Sequence, residues 1–174
     1  NTARDFSASW SDDGNSITFV SLETGDPNLV KIDSSGQNGV YLTTSRQSQL
    51  DPDGLIRAGE YSTKPITYHS IYDDQREYTD IYRMNEDGTG NIQLTDSLGY
   101  DASPQWSSVN DKILFDSDRD GDLEIYVMNS DGTDQLNLSN DPESDDVFPS
   151  WTPDGKSVVF QSRDLDSEES NDQI

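Results

Sequence analysis

Apolar residues in this chain come in short bursts. Lys112 to Phe115, Leu123 to Met128 and Gln135 to Leu138 are three of them, each bounded by turn residues. Alternation such as Ile113-Leu114-Phe115 and Ile125-Tyr126-Val127-Met128 suits strands packed on both faces. No segment carries a convincing i, i+3, i+4 apolar spacing, so the pattern predicts an all-β chain. Turn chemistry separates the bursts, as in Ser11-Asp12-Asp13-Gly14 and Thr152-Pro153-Asp154-Gly155.

The bursts repeat. An aromatic-x-Ser phrase closes one strand at Phe19-Val20-Ser21, Tyr68-His69-Ser70, Phe115-Asp116-Ser117 and Phe160-Gln161-Ser162. The steps between the aromatics are 49, 47 and 45 residues. A tryptophan stands nine residues before three of them, at Trp10, Trp106 and Trp151. A second phrase, Asp80-Ile-Tyr-Arg-Met-Asn85, returns as Glu124-Ile-Tyr-Val-Met-Asn129, and each runs into Asp-Gly-Thr and then Leu-Thr or Leu-Ser. Each complete unit therefore offers four short strands. Four strands per repeat of roughly 40–50 residues predict the blade of a β-propeller. The expected division is blade 1 over 1–43, blade 2 over 44–96, blade 3 over 97–140, half a blade over 141–162, and an acidic tail or connector over 163–174. Residues around Thr44 to Gly59 read as an inserted loop or a displaced first hairpin of blade 2.

These phrases resemble the TolB-type, WD-like β-propeller repeat, whose pattern is roughly P-x-W-S-P-D-G-K … S-x-R-D-G-x-x-E-I-Y-x-M … D-G … L-T. The third unit carries it at Pro104, Trp106, Phe115, Ser117, Arg119, Asp120, Gly121, Glu124, Ile125, Tyr126, Met128, Asp131, Gly132 and Leu138. The fourth carries Pro149, Trp151, Pro153, Asp154, Gly155, Lys156, Phe160, Ser162, Arg163 and Asp164. The second departs most, with Gly59 where the tryptophan would be. The resemblance implies inner strands at the tryptophans and outer strands at Leu-Thr. It implies a periplasmic, secreted or surface setting, or a propeller attached to a peptidase. About three and a half blades are fewer than the roughly four to eight a ring needs. The chain is therefore expected to belong to a longer propeller, or to close a ring with a second chain.

Charge narrows the partners. Lys+Arg number 11 against 35 Asp+Glu, a formal charge of -24. Such a surface repels nucleic-acid phosphates and anionic lipid. Calcium or a basic partner suits it better. No apolar run approaches the ~18 residues of a membrane span. Cysteine is absent, which excludes disulfides and zinc-thiolate sites.

The sharpest candidate chemistry is D116-S-D-R-D-G-D-L-E124. Asp116, Asp118, Asp120, Asp122 and Glu124 around Gly121 form an oxygen-rich turning loop, the donor set calcium prefers. The same spacing also serves a plain hairpin, with Asp and Gly making the turn and Arg119 pairing with a neighbour. Asp116 could point into the sheet, which would break a calcium site. His69 is the lone histidine, and it reads as a strand residue with a local hydrogen bond. No nucleophile motif is present. The tryptophans recur once per blade, which argues for core packing rather than sugar stacking. Asn137-Leu-Ser139 is a glycosylation sequon on the Leu-Thr position.

The expected function is a non-catalytic propeller module that binds a protein partner or self-associates through open blade edges, in a secreted, surface or periplasmic protein. The alternatives are the propeller of a larger enzyme (a polysaccharide lyase or peptidase) and a calcium-stabilised structural module.

Overall fold

A computed structural model describes residues 5–11, 13–24, 28–43, 65–70 and 78–165. The expected loop over 44–59, Gly59 at the tryptophan position and most of the acidic tail lie outside the described residues. The chain forms two compact units, Asn1–Gly59 and Glu60–Ile174.

The first unit is a four-stranded antiparallel sheet. Its strands are β1 (Asp5–Trp10), β2 (Ser16–Ser21), β3 (Asn28–Asp33) and β4 (Val40–Tyr41), hydrogen-bonded in chain order. The second unit holds three sheets of the same pattern. β5 (Ile66–Ser70), β6 (Asp80–Met84) and β7 (Ile92–Gln93) form one. β8 (Asp101–Ser107), β9 (Lys112–Ser117), β10 (Glu124–Asn129) and β11 (Leu136–Asn137) form a complete second. β12 (Ser144–Trp151) and β13 (Val158–Asp164) form the third. These are β-propeller blades. β13 runs two residues into the stretch expected as tail.

Alternation decides the packing, because successive strand residues face opposite sides. On one side of blade 3, Ile113, Phe115, Tyr126 and Met128 pack with Ile81 and Leu94 of blade 2, and Trp106 lies against the group. On the other side, Leu114, Ile125 and Val127 meet Trp151 and Val158 of blade 4. Each fully buried side chain here, Phe115, Leu114 and Ile125 among them, contributes about 1.5–3 kcal/mol. A one-residue register slip would exchange the two faces and destroy both seams.

Backbone bonds repeat across the seams. Asp101 N–H donates to Thr79 O at 2.9 Å, and Asp146 N–H donates to Leu123 O at 2.6 Å. Within the blades, the Leu-Thr phrase acts as a clasp. Leu42, Leu94 and Leu138 donate N–H to the carbonyls of Leu29, Ile81 and Ile125 at 2.8, 2.8 and 2.7 Å. The neighbouring hydroxyls of Thr43, Thr95 and Ser139 accept the N–H of those same three residues at 2.9, 2.9 and 3.0 Å. That is why a hydroxyl follows the leucine each time.

The inner strands carry a bulge before each tryptophan. Register shifts between Ala102 and Gln105, and again between Val147 and Ser150. Ser103 and Phe148 take positive φ there, each just before a proline. A bulge bends its strand and re-aims the side chains beyond it, here Trp106 and Trp151.

Candidate functional site

The hairpin between β9 and β10 is where the acidic candidates fall. Gly121 N–H donates to Asp118 O at 3.0 Å, and Gly121 sits at φ 128, so the turn needs glycine. Asp116 is not in the loop. It lies in β9, buried, and its Oδ2 accepts the N–H of Phe148 in blade 4 at 3.0 Å. Asp118 Oδ1 accepts the N–H of Tyr100 at 2.5 Å. Asp120 Oδ2 accepts the Tyr126 hydroxyl at 2.5 Å and the Asn137 amide at 3.2 Å. Glu124, buried at the start of β10, accepts the same Asn137 amide. Asp122 is half-buried, its Oδ2 enclosed without a hydrogen-bond partner among the described residues. Of the five carboxylates only Asp120 and Glu124 share a partner among the described residues, the Asn137 amide. Among the described residues no three His, Cys, Asp or Glu side chains group to hold a metal.

Arg119 is the hub of the hairpin. Its NH2 group lies 2.8 Å from Asp101 Oδ1, its Nε donates to Ser117 Oγ at 2.9 Å, and NH1 donates to Gln135 Oε1 at 2.5 Å. The guanidinium also covers Tyr126 and Phe115, at 4.8 and 5.3 Å from their ring centroids. Those two rings stack at 5.5 Å, as Tyr68 and Tyr82 do in blade 2. Asp101 is wholly buried and also accepts the Ser117 and Ser97 hydroxyls at 2.5 and 2.9 Å. Sequence reasoning gave Arg119 a neighbouring partner but missed Asp101. A signal was present: an aspartate stands five residues before each tryptophan, at Asp5, Asp101 and Asp146.

Electrostatics follow from these contacts. Burial pushes the Tyr126 hydroxyl well above its ordinary range, and its bond to Asp120 adds to the shift. Burial raises Tyr68 to about 12, against a hydrogen bond to Asn91 that lowers it. Burial lowers His69, and the Asp116 carboxylate opposes the change. The imidazole still reaches solvent, so it is crowded rather than sealed. A lowered pKa keeps it neutral at pH 7, which suits a strand residue better than a proton donor.

Of the tryptophans, Trp151 donates Nε1–H to Gln105 O of blade 3 at 3.1 Å, and Trp106 donates to Asp111 of its own turn at 3.1 Å. Both pack against core. Trp10 departs from the expected core role, being 59% exposed. It pairs with Ile17 of β2, and elsewhere in the first unit an open depression is lined by Phe19, Val30, Ile32 and Tyr41. In the sequon, the Asn137 amide is held by Asp120 and Glu124 and the Ser139 hydroxyl by the Ile125 N–H.

Blade 4 leaves a second open surface. Val159 and Phe160 are 58% and 43% exposed, whereas their blade-3 counterparts Leu114 and Phe115 are fully buried. Arg119, Asp116, Asp118, Asp120 and Glu124 of the hairpin are engaged by neighbours, whereas Trp10, Val159 and Phe160 are exposed.

Residues 65–172 match the family model described as the TolB beta propeller domain. A TolB homolog from Chlorobium chlorochromatii is 32% identical over 149 residues, covering 86% of this chain and 31% of that protein. Dipeptidyl-peptidase 5 from Porphyromonas endodontalis is 27% identical over 127 residues, covering 67% of this chain and 18% of the peptidase. A solved TolB-type structure from Agrobacterium tumefaciens superposes with a TM-score of 0.73 at 28% identity, over 93% of this chain and 55% of that one. The chain spans less than half the length of the curated relatives it matches.

Proposed function

We propose a binding role for this chain, which belongs to the TolB beta propeller domain family: it is a non-catalytic interaction module of the periplasm or cell envelope. The setting is the one that the TolB resemblance implies. The observation that carries the role is the contrast within the structure. Arg119, Asp101, Asp116, Asp118, Asp120 and Glu124 are engaged by neighbours, while Trp10, Val159 and Phe160 lie open. Apolar side chains left open beside an acidic surface suit a protein partner, or a second copy of the chain. The test is affinity capture with residues 1–174 as bait, repeated with Trp10→Ala and Phe160→Ala. A partner, or self-assembly, retained by the parent and lost in a variant supports the role. Equal retention by all three contradicts it.

A second reading is favoured by the match to dipeptidyl-peptidase 5: the propeller of a larger peptidase. The full reading frame tests it, through an α/β-hydrolase domain beside the blades.

Calcium at the 116–124 hairpin is a separate proposal, carried by the spacing of its carboxylates. The ion would have to displace bonds such as Asp118 to Tyr100 and Asp120 to Tyr126. It predicts a higher melting temperature with calcium and a lower one with EDTA, both responses lost in Asp118→Ala with Asp120→Ala. An unchanged melt ends it.

A further inference from the structure

Asparagine precedes glycine once in this sequence, at Asn38-Gly39. The step lies in the turn between β3 and β4, where Asn38 is exposed and sits at φ 56. Its amide nitrogen donates to Asp33 Oδ2 at 2.7 Å. Asp33 Oδ1 in turn accepts the Ser35 hydroxyl, the Gln37 N–H and the Ser35 N–H at 2.6, 2.9 and 3.0 Å. The Ser35 hydroxyl first, and then the Gln37 N–H, hold the Asp33 carboxyl below its ordinary value of 3.8, so it is charged at neutral pH.

The equivalent turn of blade 3 carries the same pair exchanged. Asn129 stands at the Asp33 position and Asp134 at the Asn38 position, at φ 54. The Asn129 amide donates to Asp134 Oδ2 at 2.9 Å. In blade 2 the two positions hold Asn85 and Gly90, the glycine at φ 63. None of these three turns places two carboxylates in the pair. Gly39 is not required by packing or by backbone: it is outside the left-handed region, and a Cβ there would meet Ile32 Cγ2 at an ordinary 3.6 Å. Its lack of a side chain leaves the backbone nitrogen open to close approach.

We propose that Asn38 is a self-deamidation site. The Gly39 nitrogen attacks Cγ of Asn38. The N–Cγ bond forms, the Cγ–Nδ2 bond breaks, and Nδ2 leaves as ammonia, taking up the proton that Gly39 loses. Water then opens the cyclic imide at one of its two carbonyl carbons. Opening at Cγ gives aspartate, and opening at the main-chain carbonyl gives isoaspartate, with the chain running through Cβ and Cγ. Either product replaces a donor amide with a carboxylate beside the charged Asp33, and like charges at that distance repel. Isoaspartate also lengthens the backbone by one atom directly before β4, a strand held by only two residue pairs, Val30 with Tyr41 and Lys31 with Val40. The outer strand of the first blade is therefore loosened with time, whatever partner the chain binds.

The test ages the whole 174-residue chain at mildly alkaline pH and follows it by peptide mapping with mass spectrometry and by isoaspartyl methyltransferase labelling. Asn38 should convert severalfold faster than Asn15, Asn110 and Asn140, which are also exposed but precede residues with side chains. Gly39→Ala should slow the conversion severalfold and keep the parent's melting temperature. Asn38→Asp, the aspartate product made directly, should melt below the parent, and Asp33→Asn added to it should recover the loss by rebuilding the blade-3 pair. Conversion at Asn38 no faster than at the other three, an unchanged rate in Gly39→Ala, or an Asn38→Asp chain that melts with the parent would each overturn the proposal.

Discussion

Asp101 and Arg119 meet at 2.8 Å, with the carboxylate wholly buried and the guanidinium spread over Tyr126 and Phe115. The pair joins the first residue of β8 to the β9–β10 hairpin, so it fixes the inner strand to the turn. Arg119 is 21% exposed and also bonds Ser117 and Gln135, so the costly deletion is the one that orphans the buried Asp101 carboxylate. Arg119→Ala should therefore cost about 3–5 kcal/mol in urea unfolding followed by circular dichroism. Arg119→Lys keeps the charge and loses the fork and the ring contacts, and should cost less, on the order of 1–2 kcal/mol.

The Leu-Thr clasp makes a second prediction. Thr95 accepts the N–H of Ile81, a residue with no solvent exposure. Thr95→Val keeps the shape and orphans that donor, at about 1–3 kcal/mol. Thr95→Ser should restore most of the loss. Equal stability of the valine and serine variants would contradict the clasp.

Turn glycines differ by what surrounds them. Gly36 and Gly132 occupy equivalent turns at φ 80 and 88. A Cβ at Gly36 meets open space, whereas one at Gly132 would lie 2.9 Å from Leu94 O of blade 2. Both alanine variants carry backbone strain of about 1–3 kcal/mol. Gly132→Ala adds the clash and should lose more stability than Gly36→Ala, read by thermal melting.

Stability should fall at both pH extremes for separate reasons. Asp131 and Asp154 are held below their ordinary value of 3.8, first by the hydroxyls of Thr133 and Thr152. A depressed folded pKa means stability present above about pH 4 and lost as pH drops through the folded value. Tyr68 is raised from 10.0 to about 12 by burial. Its contribution is complete below pH 10 and lost as pH climbs toward 12. Thr133→Val should flatten the acid limb, and Tyr68→Phe the alkaline one, in melting curves taken across pH.

Much of the fold was legible because each phrase serves one local bond. The strand bursts Lys112 to Phe115 and Leu123 to Met128 became β9 and β10 with ends shifted by one or two residues. Asp-Gly-Thr became a turn in which the Thr133 N–H and hydroxyl both donate to Asp131. Ser107 to Asp111 turned without glycine, with Asp111 itself at φ 53. The hairpin's partners were not legible. Asp116 accepts a bond from Phe148, 32 residues on, and Arg119 reaches back to Asp101. Alternating aspartates look alike in sequence whether they enclose an ion or bond to the protein, because contacts distant along the chain, within the blade for Asp118 and Asp120 and across the seam for Asp116, decide where each one points. Trp10 shares its phrase with Trp151, yet burial depends on a neighbouring blade and not on the phrase.

The claim beneath all of this is that Trp106 and Trp151 each seat against the blade before their own, while Trp10 lies open. The chain has three tryptophans, so 5-fluorotryptophan labelling with fluorine NMR gives one resonance for each. With Leu114→Ala in blade 3, the Trp151 resonance should shift, and the Trp10 resonance should stay fixed and remain accessible to a soluble paramagnetic quencher. A Trp151 signal that ignores Leu114, or a Trp10 signal shielded like the other two, would contradict it.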